Sequence, residues 1–166
     1  MLGGEVSASW QPGRIVRLRG PHGRGFVLPR SARRVGLAAI DGTLLRLLPL
    51  VHEALDHKAA VVCCSTGVPD FLPADVEVVL PENLADLWGW ADYAAILVGI
   101  QSLEGLRNRL GLASQVSTAM IVEILVDFPM VCGGMSECGV CAVPLRRGWA
   151  LACKDGPVFN LNQLEG

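Results

Sequence analysis

Four cysteines near the C-terminus have the types and spacing of ligands to a metal centre. They are Cys132, Cys138, Cys141 and Cys153, and together they read C-x5-C-x2-C-x11-C. Three thiols in one glycine-rich loop, with a fourth returned by a short hairpin, suit a [2Fe–2S] cluster, which is held by four thiolates. The plant-type spacing C-x4-C-x2-C…C is one residue shorter in its first gap. The sequence therefore predicts a [2Fe–2S] cluster on these four residues.

The loop between the first cysteines contains glycines where backbone amides must approach an anionic cluster. Gly133, Gly134 and Gly139 can adopt positive φ, which lets their amides point inward. Glu137 has the wrong charge to help, and ionised carboxylates are almost never buried without a partner. We therefore predict that Met135–Glu137 forms an exposed tip.

Structural zinc is the competing interpretation, because four cysteines with a C-x2-C knuckle also suit tetrahedral Zn²⁺. A zinc ribbon usually supplies two separated knuckles, whereas this sequence has one, Cys138–Cys141, with a single cysteine on either side. Disulfides or free thiols are the remaining alternative. Cys63 and Cys64 are adjacent in an apolar run, where strand side chains point to opposite faces, and we expect them to be core residues.

The segment Pro129–Phe159 resembles the C-terminal domain of the electron-transfer (iron–sulfur) subunit of NAD-linked dihydroorotate dehydrogenase, in the ferredoxin-reductase-like family. That family reads M-x-C-G-x-G-x-C-x-x-C, then a β-hairpin, then C-x-D-G-P-V-F. The matching residues here are Met130, Cys132, Gly133, Cys138, Cys141 and the whole of Cys153–Phe159. This sequence departs by one extra residue in the first gap. The resemblance implies that the four cysteines hold a [2Fe–2S] cluster that passes electrons between flavins.

The N-terminal segment resembles the end of that family's flavin-binding barrel. Pro12–Phe26 looks like the last barrel strand and its exit turn. A barrel of about six strands cannot be built from the residues ahead of Pro29. We therefore expect a truncated subunit that lacks the barrel, in which FAD binds only with a partner chain.

The middle of the sequence predicts an α/β fold, in which apolar runs suited to buried parallel strands alternate with helices. One helix is expected over Leu44–Leu55, with Pro49 either kinking it or lying in its first turn. A second is expected over Leu103–Leu112, and the Trp88–Trp90 region reads as a loop. The predicted strands are Val35–Ile40, Ala59–Cys64, Val76–Leu80, Tyr93–Val98 and Met120–Val126.

We predict three units along the chain. Residues 1–33 are a remnant of a barrel strand and a linker. Residues 34–118 form a parallel sheet with flanking helices, which by resemblance is a degenerate nucleotide-binding domain of ferredoxin-reductase type. Residues 119–166 form a small [2Fe–2S] β-hairpin domain.

The nucleotide signatures of the resembling family are missing. Its first strand ends in a G-G-G-x-G turn that cradles a pyrophosphate, and the equivalent segment here is Ala39–Thr43. Asp41 places a negative charge where the phosphates would lie, and a carboxylate competes with a bound anion for the same helix N-terminus. The family's later C-G-P turn is here Val98–Ile100. We expect NAD not to bind in the usual way.

Composition and charge exclude several classes of protein. The net charge of −2 gives no reason to expect nucleic acid as a partner. The sequence is 51% hydrophobic with a mean hydropathy of +0.42, but charged residues interrupt every long apolar stretch, so no membrane span is predicted. No secretory signal pattern is found, and we expect a cytoplasmic protein.

No Ser/His/Asp or paired-carboxylate arrangement is found, so no catalytic residue is predicted. His22, His52 and His57 show no ligand-type spacing with the cysteines and are expected on the surface or on a helix face. We therefore expect a non-catalytic electron-transfer subunit whose partner is a flavoprotein, with a homodimer also possible. The alternative is a non-catalytic partner protein in which a structural cluster or zinc staples the C-terminal hairpin.

Overall fold

The computed structural model describes residues 11–15, 19–66, 69–111 and 120–165. Within these ranges the strands form a six-stranded sheet and a separate two-stranded hairpin. The strands are β1 (Arg34–Ala39), β2 (Ala60–Cys64), β3 (Glu77–Val79), β4 (Tyr93–Gly99), β5 (Ile121–Asp127), β6 (Ala142–Pro144), β7 (Trp149–Leu151) and β8 (Val158–Asn160).

The main sheet has the strand order β3-β2-β1-β4-β5-β8. Its first five strands are parallel, and β8 pairs antiparallel with β5 at the edge. Each predicted strand is found with both ends within one residue of the prediction. The predicted α/β fold with a mostly parallel sheet is therefore confirmed, and the hairpin β6–β7 follows the cysteine-rich loop.

Short helices cover the sheet. Pro49 lies in the first turn of α1, as one of the two predicted alternatives required. The predicted helix over Leu103–Leu112 is wrong in extent, because Gly105 with φ +65° begins a helix of only four residues; Leu112 lies outside the described residues. The helices are α1 (Leu48–Asp56), α2 (Leu84–Trp90) and α3 (Leu106–Arg109), with 3₁₀ helices at Leu44–Leu47, Pro81–Asn83, Ile100–Ser102 and Leu161–Gln163.

Apolar side chains form one core on each face of the sheet. Cys63 is buried in the core that contains α1, and Cys64 in the core that contains α2. The two adjacent thiols therefore point to opposite faces, as the strand prediction requires. The second core continues into the cysteine-rich region, where it includes Cys141 and Cys153. The hairpin thus packs on the same face of the sheet as α2.

The cysteine-rich region is continuous with the sheet, because β5 leads into it and β8 returns from it. The division into three units at residues 33 and 118 stays a prediction. Of the segment compared with a barrel strand, residues 16–18 lie outside the described residues. In its described part, an isolated bridge joins Arg24 to Pro157. Across the described ranges, no helix has the length and apolar character needed to cross a membrane.

Candidate metal centre

Two neighbouring strands bring the cysteine-bearing segments together. β5 runs into the loop of residues 128–141, which carries three of the cysteines, and the segment after Cys153 enters β8. Leu125 is paired with Val158, and Ile124 with Phe159. Because β5 and β8 are hydrogen-bonded neighbours, cysteines far apart in sequence lie at the same end of the sheet.

Cys141 and Cys153 form one close pair of thiols. Their sulfurs are 3.3 Å apart, with the Cys141 thiol donating to Cys153 Sγ. Both residues are buried, and the Ala152 amide donates to the Cys141 carbonyl at 2.9 Å, which ties the two segments together. Burial raises the pKa of the Cys141 thiol, so an uncompensated thiolate is disfavoured there.

Cys132 and Cys138 form a second pair on the exposed side of the loop. The Glu137 backbone amide donates to the Cys132 sulfur, and the Cys138 thiol donates to it as well; together with further amides they lower the pKa of Cys132 to about 6. Cys132 is half-buried and Cys138 is exposed. The loop therefore favours a thiolate at Cys132, the protonation state that metal ligation requires.

The loop has the unusual backbone that the glycines predict. Gly133, Gly134 and Gly139 have φ values of +62°, +81° and +70°, and Ser136 joins them at +64°. Left-handed residues within turns redirect the neighbouring backbone amides, and successive amides in such turns can form concave anion sites. Backbone amides of this loop donate hydrogen bonds to the sulfur of Cys132.

The predicted exposed tip is partly correct. Met135 is 51% exposed and Glu137 is exposed, but Ser136 is half-buried. The Ser136 hydroxyl lies 3.5 Å from Cys153 Sγ, so this side chain turns inward to the thiols. The sequence carries no spacing signal for that contact, because Ser136 and Cys153 are separated by the hairpin.

In cluster-free protein, we expect Cys132 to be the most reactive of the buried or half-buried cysteines. Its lowered pKa favours the thiolate above about pH 6, and this stabilisation is lost as the pH falls through that value. Alkylation by iodoacetamide, followed by peptide mass spectrometry, should be roughly fivefold faster at Cys132 than at Cys141 at neutral pH, after allowing for weaker nucleophilicity. Cys63, whose pKa burial raises to about 12, is the unreactive control. Equal rates and equal pH midpoints at Cys132 and Cys141 would contradict the geometry.

The turn that follows β1, where the resemblance places a dinucleotide, borders a cavity of about 530 Å³ and also makes contacts with the rest of the chain. Asp41 does not cap the following helix; Thr43 does, its Oγ1 accepting from the Leu45 amide at 3.2 Å. Asp41 Oδ2 instead accepts a hydrogen bond of 3.1 Å from the Gly99 amide. A cavity of about 450 Å³ beside them is lined by two carboxylates, Asp41 and Asp127. Arg46, which could otherwise face an anion, is paired with Asp127.

Comparison with known families identifies the cysteine-rich region. Residues 129–165 match the family described as the iron–sulfur cluster binding domain of dihydroorotate dehydrogenase B. The resemblance predicted from the sequence is confirmed. We refer below to residues 129–165 as the cluster-binding domain.

A curated relative and a solved structure extend the comparison. The chain is 28% identical over 193 aligned residues to a probable dihydroorotate dehydrogenase B (NAD(+)), electron transfer subunit, from Methanopyrus kandleri. The alignment covers 98% of this chain and 66% of the relative. The fold is similar to that of the NADH-dependent reduced ferredoxin-NADP oxidoreductase, solved in work on flavin-based electron bifurcation. That match has a TM-score of 0.65 and 15% identity, and covers 89% of this chain and 59% of the other.

Beside the cluster-binding domain lie residues that sequence spacing could not find. Arg19 Nη1 donates to the Gly133 carbonyl at 3.4 Å, and the His22 ring lies against Gly134. His22 was expected on the surface without a role, and no motif links it to a loop more than a hundred residues away. Its contact with the cluster-binding domain is visible only in three dimensions.

Proposed function

We propose that this chain is a non-catalytic electron-transfer subunit that holds a [2Fe–2S] cluster on Cys132, Cys138, Cys141 and Cys153 and exchanges electrons with a flavoprotein. The observation that carries the proposal is the arrangement of the four thiols in two pairs within the cluster-binding domain. Such a cluster, when bound, takes up and releases one electron at a time, and makes or breaks no substrate bond.

The pairing favours a two-iron cluster over zinc. A single Zn²⁺ needs four sulfurs around one point at about 2.3 Å. A [2Fe–2S] cluster instead takes two protein ligands on each of its two irons. Among the described residues, no three His, Cys, Asp or Glu side chains converge closely enough to hold one metal ion. The cysteines are instead grouped as Cys132 with Cys138 and Cys141 with Cys153.

The chain's own residues prepare the site for a negatively charged group. The amides near Cys132 stabilise its thiolate, and the positive φ values of the loop glycines keep those amides directed inward. The buried pair, Cys141 and Cys153, excludes water on the core side. The exposed Cys138 lies at the protein surface, where a partner could approach closely enough for electron transfer.

The exposed side of the loop also has the composition of a docking surface. Met130, Val131, Met135 and Val140 are all exposed apolar side chains within eleven consecutive loop residues, 130–140. Trp149, in the hairpin that follows, is 72% exposed. Several exposed apolar residues within one loop are typical of a protein-interaction site.

We propose that the partner is the catalytic flavoprotein subunit of a dihydroorotate dehydrogenase B, since the curated relative is named as the electron transfer subunit of such an enzyme. The chain spans about two thirds of that relative's length. FAD would then be bound only where a partner chain completes the site. A homodimer and a cytoplasmic location stay predictions.

Redox titration of the anaerobically purified chain tests the proposed electron transfer. We expect a visible spectrum that bleaches on one-electron reduction, a paramagnetic signal in the reduced form, and reoxidation by added flavoprotein. The alternative function is a cluster or zinc ion that only stabilises the fold of the hairpin, and the burial of Cys141 and Cys153 favours it. A centre that stays redox-inert in voltammetry, in a chain that captures no flavoprotein, would establish that alternative.

We predict that the isolated chain does not bind NAD(H) or NADP(H) tightly. Two carboxylates, Asp41 and Asp127, line a cavity beside the turn that follows β1, and the Gly99 amide is already used by Asp41. In calorimetric titration we expect a dissociation constant no tighter than about 1 mM, or about −4 kcal/mol. A micromolar constant, about −8 kcal/mol, would contradict the prediction. Asp41→Asn is the matched variant, because it removes the charge and keeps the shape, so any affinity that it gains measures charge repulsion.

A further inference from the structure

A short segment ahead of the sheet contacts the loop that carries three of the cysteines. We call residues 19–24 the strap. Arg19 donates to the carbonyl of Gly133, which directly follows Cys132. The His22 ring packs so closely on Gly134 that a Cβ built there would lie 2.5 Å from Nδ1 and 3.1 Å from Nε2. Glycine at position 134 therefore makes room for the His22 side chain.

The same strap also contacts the segment that carries the fourth cysteine. The Arg24 amide donates to the Gly156 carbonyl, and the Arg24 carbonyl accepts from the Val158 amide at 3.3 Å. Gly23 lies against the Gly156 backbone too closely to admit a Cβ. The strap thus joins the loop of Cys132 to the return segment of Cys153.

Residues just beyond the strap anchor it to the sheet. The Val27 amide donates to Glu123 Oε2 at 3.1 Å, and the hydroxyl of the fully buried Tyr93 donates to the same oxygen at 2.6 Å. Leu28 is buried in the core. Because its C-terminal end is anchored to the sheet, the strap is held against the loop that carries Cys132.

We propose that the strap is a positioning element for the cluster: by contacting both cysteine-bearing segments at once, it holds the two thiol pairs in place, and Arg19 raises the reduction potential. This inference rests on the proposed function. Net charge, hydrogen bonding and solvent exposure are the levers by which a protein sets the potential of an iron–sulfur cluster. The guanidinium beside Gly133 adds positive charge that stabilises the more negative, reduced state.

Retention of the cluster against an iron chelator tests the positioning role. Gly134→Ala should lose visible absorbance roughly fivefold faster than the unaltered chain, because the new methyl group expels the His22 ring. Gly148→Ala is the control for backbone strain, since Gly148 has φ +84°, close to the +81° of Gly134, and open space around it. It should lose absorbance at the unaltered rate.

The double variant His22→Ala with Gly134→Ala separates strap contact from strain within the loop. It keeps the alanine at position 134 and removes the ring that the alanine would strike. We expect its rate of cluster loss to fall back to that of His22→Ala alone, which keeps the strap contacts of Arg19 and Arg24 and therefore loses the cluster more slowly than Gly134→Ala. A double variant that loses the cluster as fast as Gly134→Ala, or faster, would overturn the positioning role.

Potentiometric titration tests the effect of the Arg19 charge on the reduction potential. Arg19→Gln should shift the reduction potential to a more negative value, whereas Arg19→Lys, which keeps the charge, should leave it near the original. The shift should shrink at high salt, because Arg19 is exposed. Equal potentials in all three proteins would overturn the charge effect.

The failure of the strap inference can be told apart from the failure of the proposed function. If the unaltered chain holds iron and sulfide while these variants match it, the strap inference fails and the proposed function stands. If the unaltered chain holds neither, the proposed function itself fails.

Discussion

Replacing Cys141 by serine is expected to abolish the visible spectrum of the anaerobically purified protein. Cys141 is buried and lies 3.3 Å from Cys153, so in the proposed cluster its loss would remove a ligand at a place that water does not reach. We expect iron and sulfide contents to fall to near zero. The measurement is absorbance combined with metal analysis.

Serine at Cys63 or Cys64 is the matched control for that experiment. Both are buried thiols of β2: Cys63 lies in the core on the other face of the sheet, and Cys64 shares a core with Cys141 and Cys153 but is separated from β5 by two strands, β1 and β4. Each change buries a hydroxyl and should cost about 1–3 kcal/mol of stability while leaving the colour intact. Loss of colour in Cys64→Ser, with colour retained in Cys132→Ser, would show that the ligand set is wrong.

The second large effect is expected on docking. Val131 is 71% exposed beside Cys132, within the apolar face of the loop. Val131→Asp places a charge in an interface that we propose to be apolar, and burying an unpaired carboxylate should cost more than the 1.5–3 kcal/mol of a buried valine. We expect the flavin recovered with the tagged chain from its native source to fall at least about tenfold, which corresponds to 1.4 kcal/mol.

An exposed apolar residue at the opposite edge of the sheet provides the control for docking. Leu80 is 46% exposed and directly follows β3, at the edge of the sheet away from β8. Leu80→Asp should recover as much flavoprotein as the unaltered chain, and both variants should keep their colour. Equal loss of flavoprotein in the two variants would mean that the loop face is not the docking surface.

Local sequence pattern was sufficient to predict the five parallel strands of the sheet, but not the antiparallel edge strand β8. Runs such as Tyr93–Val98 are apolar throughout because both faces of a parallel strand are buried, so their position follows from hydrophobicity. The helices were harder. The loop predicted around Trp88 is α2, in which Leu87 and Trp88 are buried against the sheet and Gly89 faces open space. Glycine between two tryptophans suggested a loop, but packing of the apolar side overrides that propensity.

The sequence predicted which residues form the candidate centre, but not how they are arranged in space. Spacing singled out four cysteines, because iron–sulfur ligands recur at short intervals such as C-x2-C with a further cysteine elsewhere in the chain. It could not show that Ser136 turns inward to Cys153, nor that Asp41 bonds Gly99 instead of capping a helix. It also gave no sign that Arg19 reaches Gly133. These contacts join residues distant in sequence, and they depend on how the whole sheet places its ends.

Metal and acid-labile sulfide analysis of the anaerobically purified chain tests the central claim most directly. We expect about two irons and about two sulfides per chain, as a [2Fe–2S] cluster requires. Both should be lost together in Cys141→Ser and retained in Cys63→Ser. About one zinc per chain without sulfide, in protein made where iron–sulfur assembly is working, would contradict the proposed cluster and leave the cysteines as a structural zinc site.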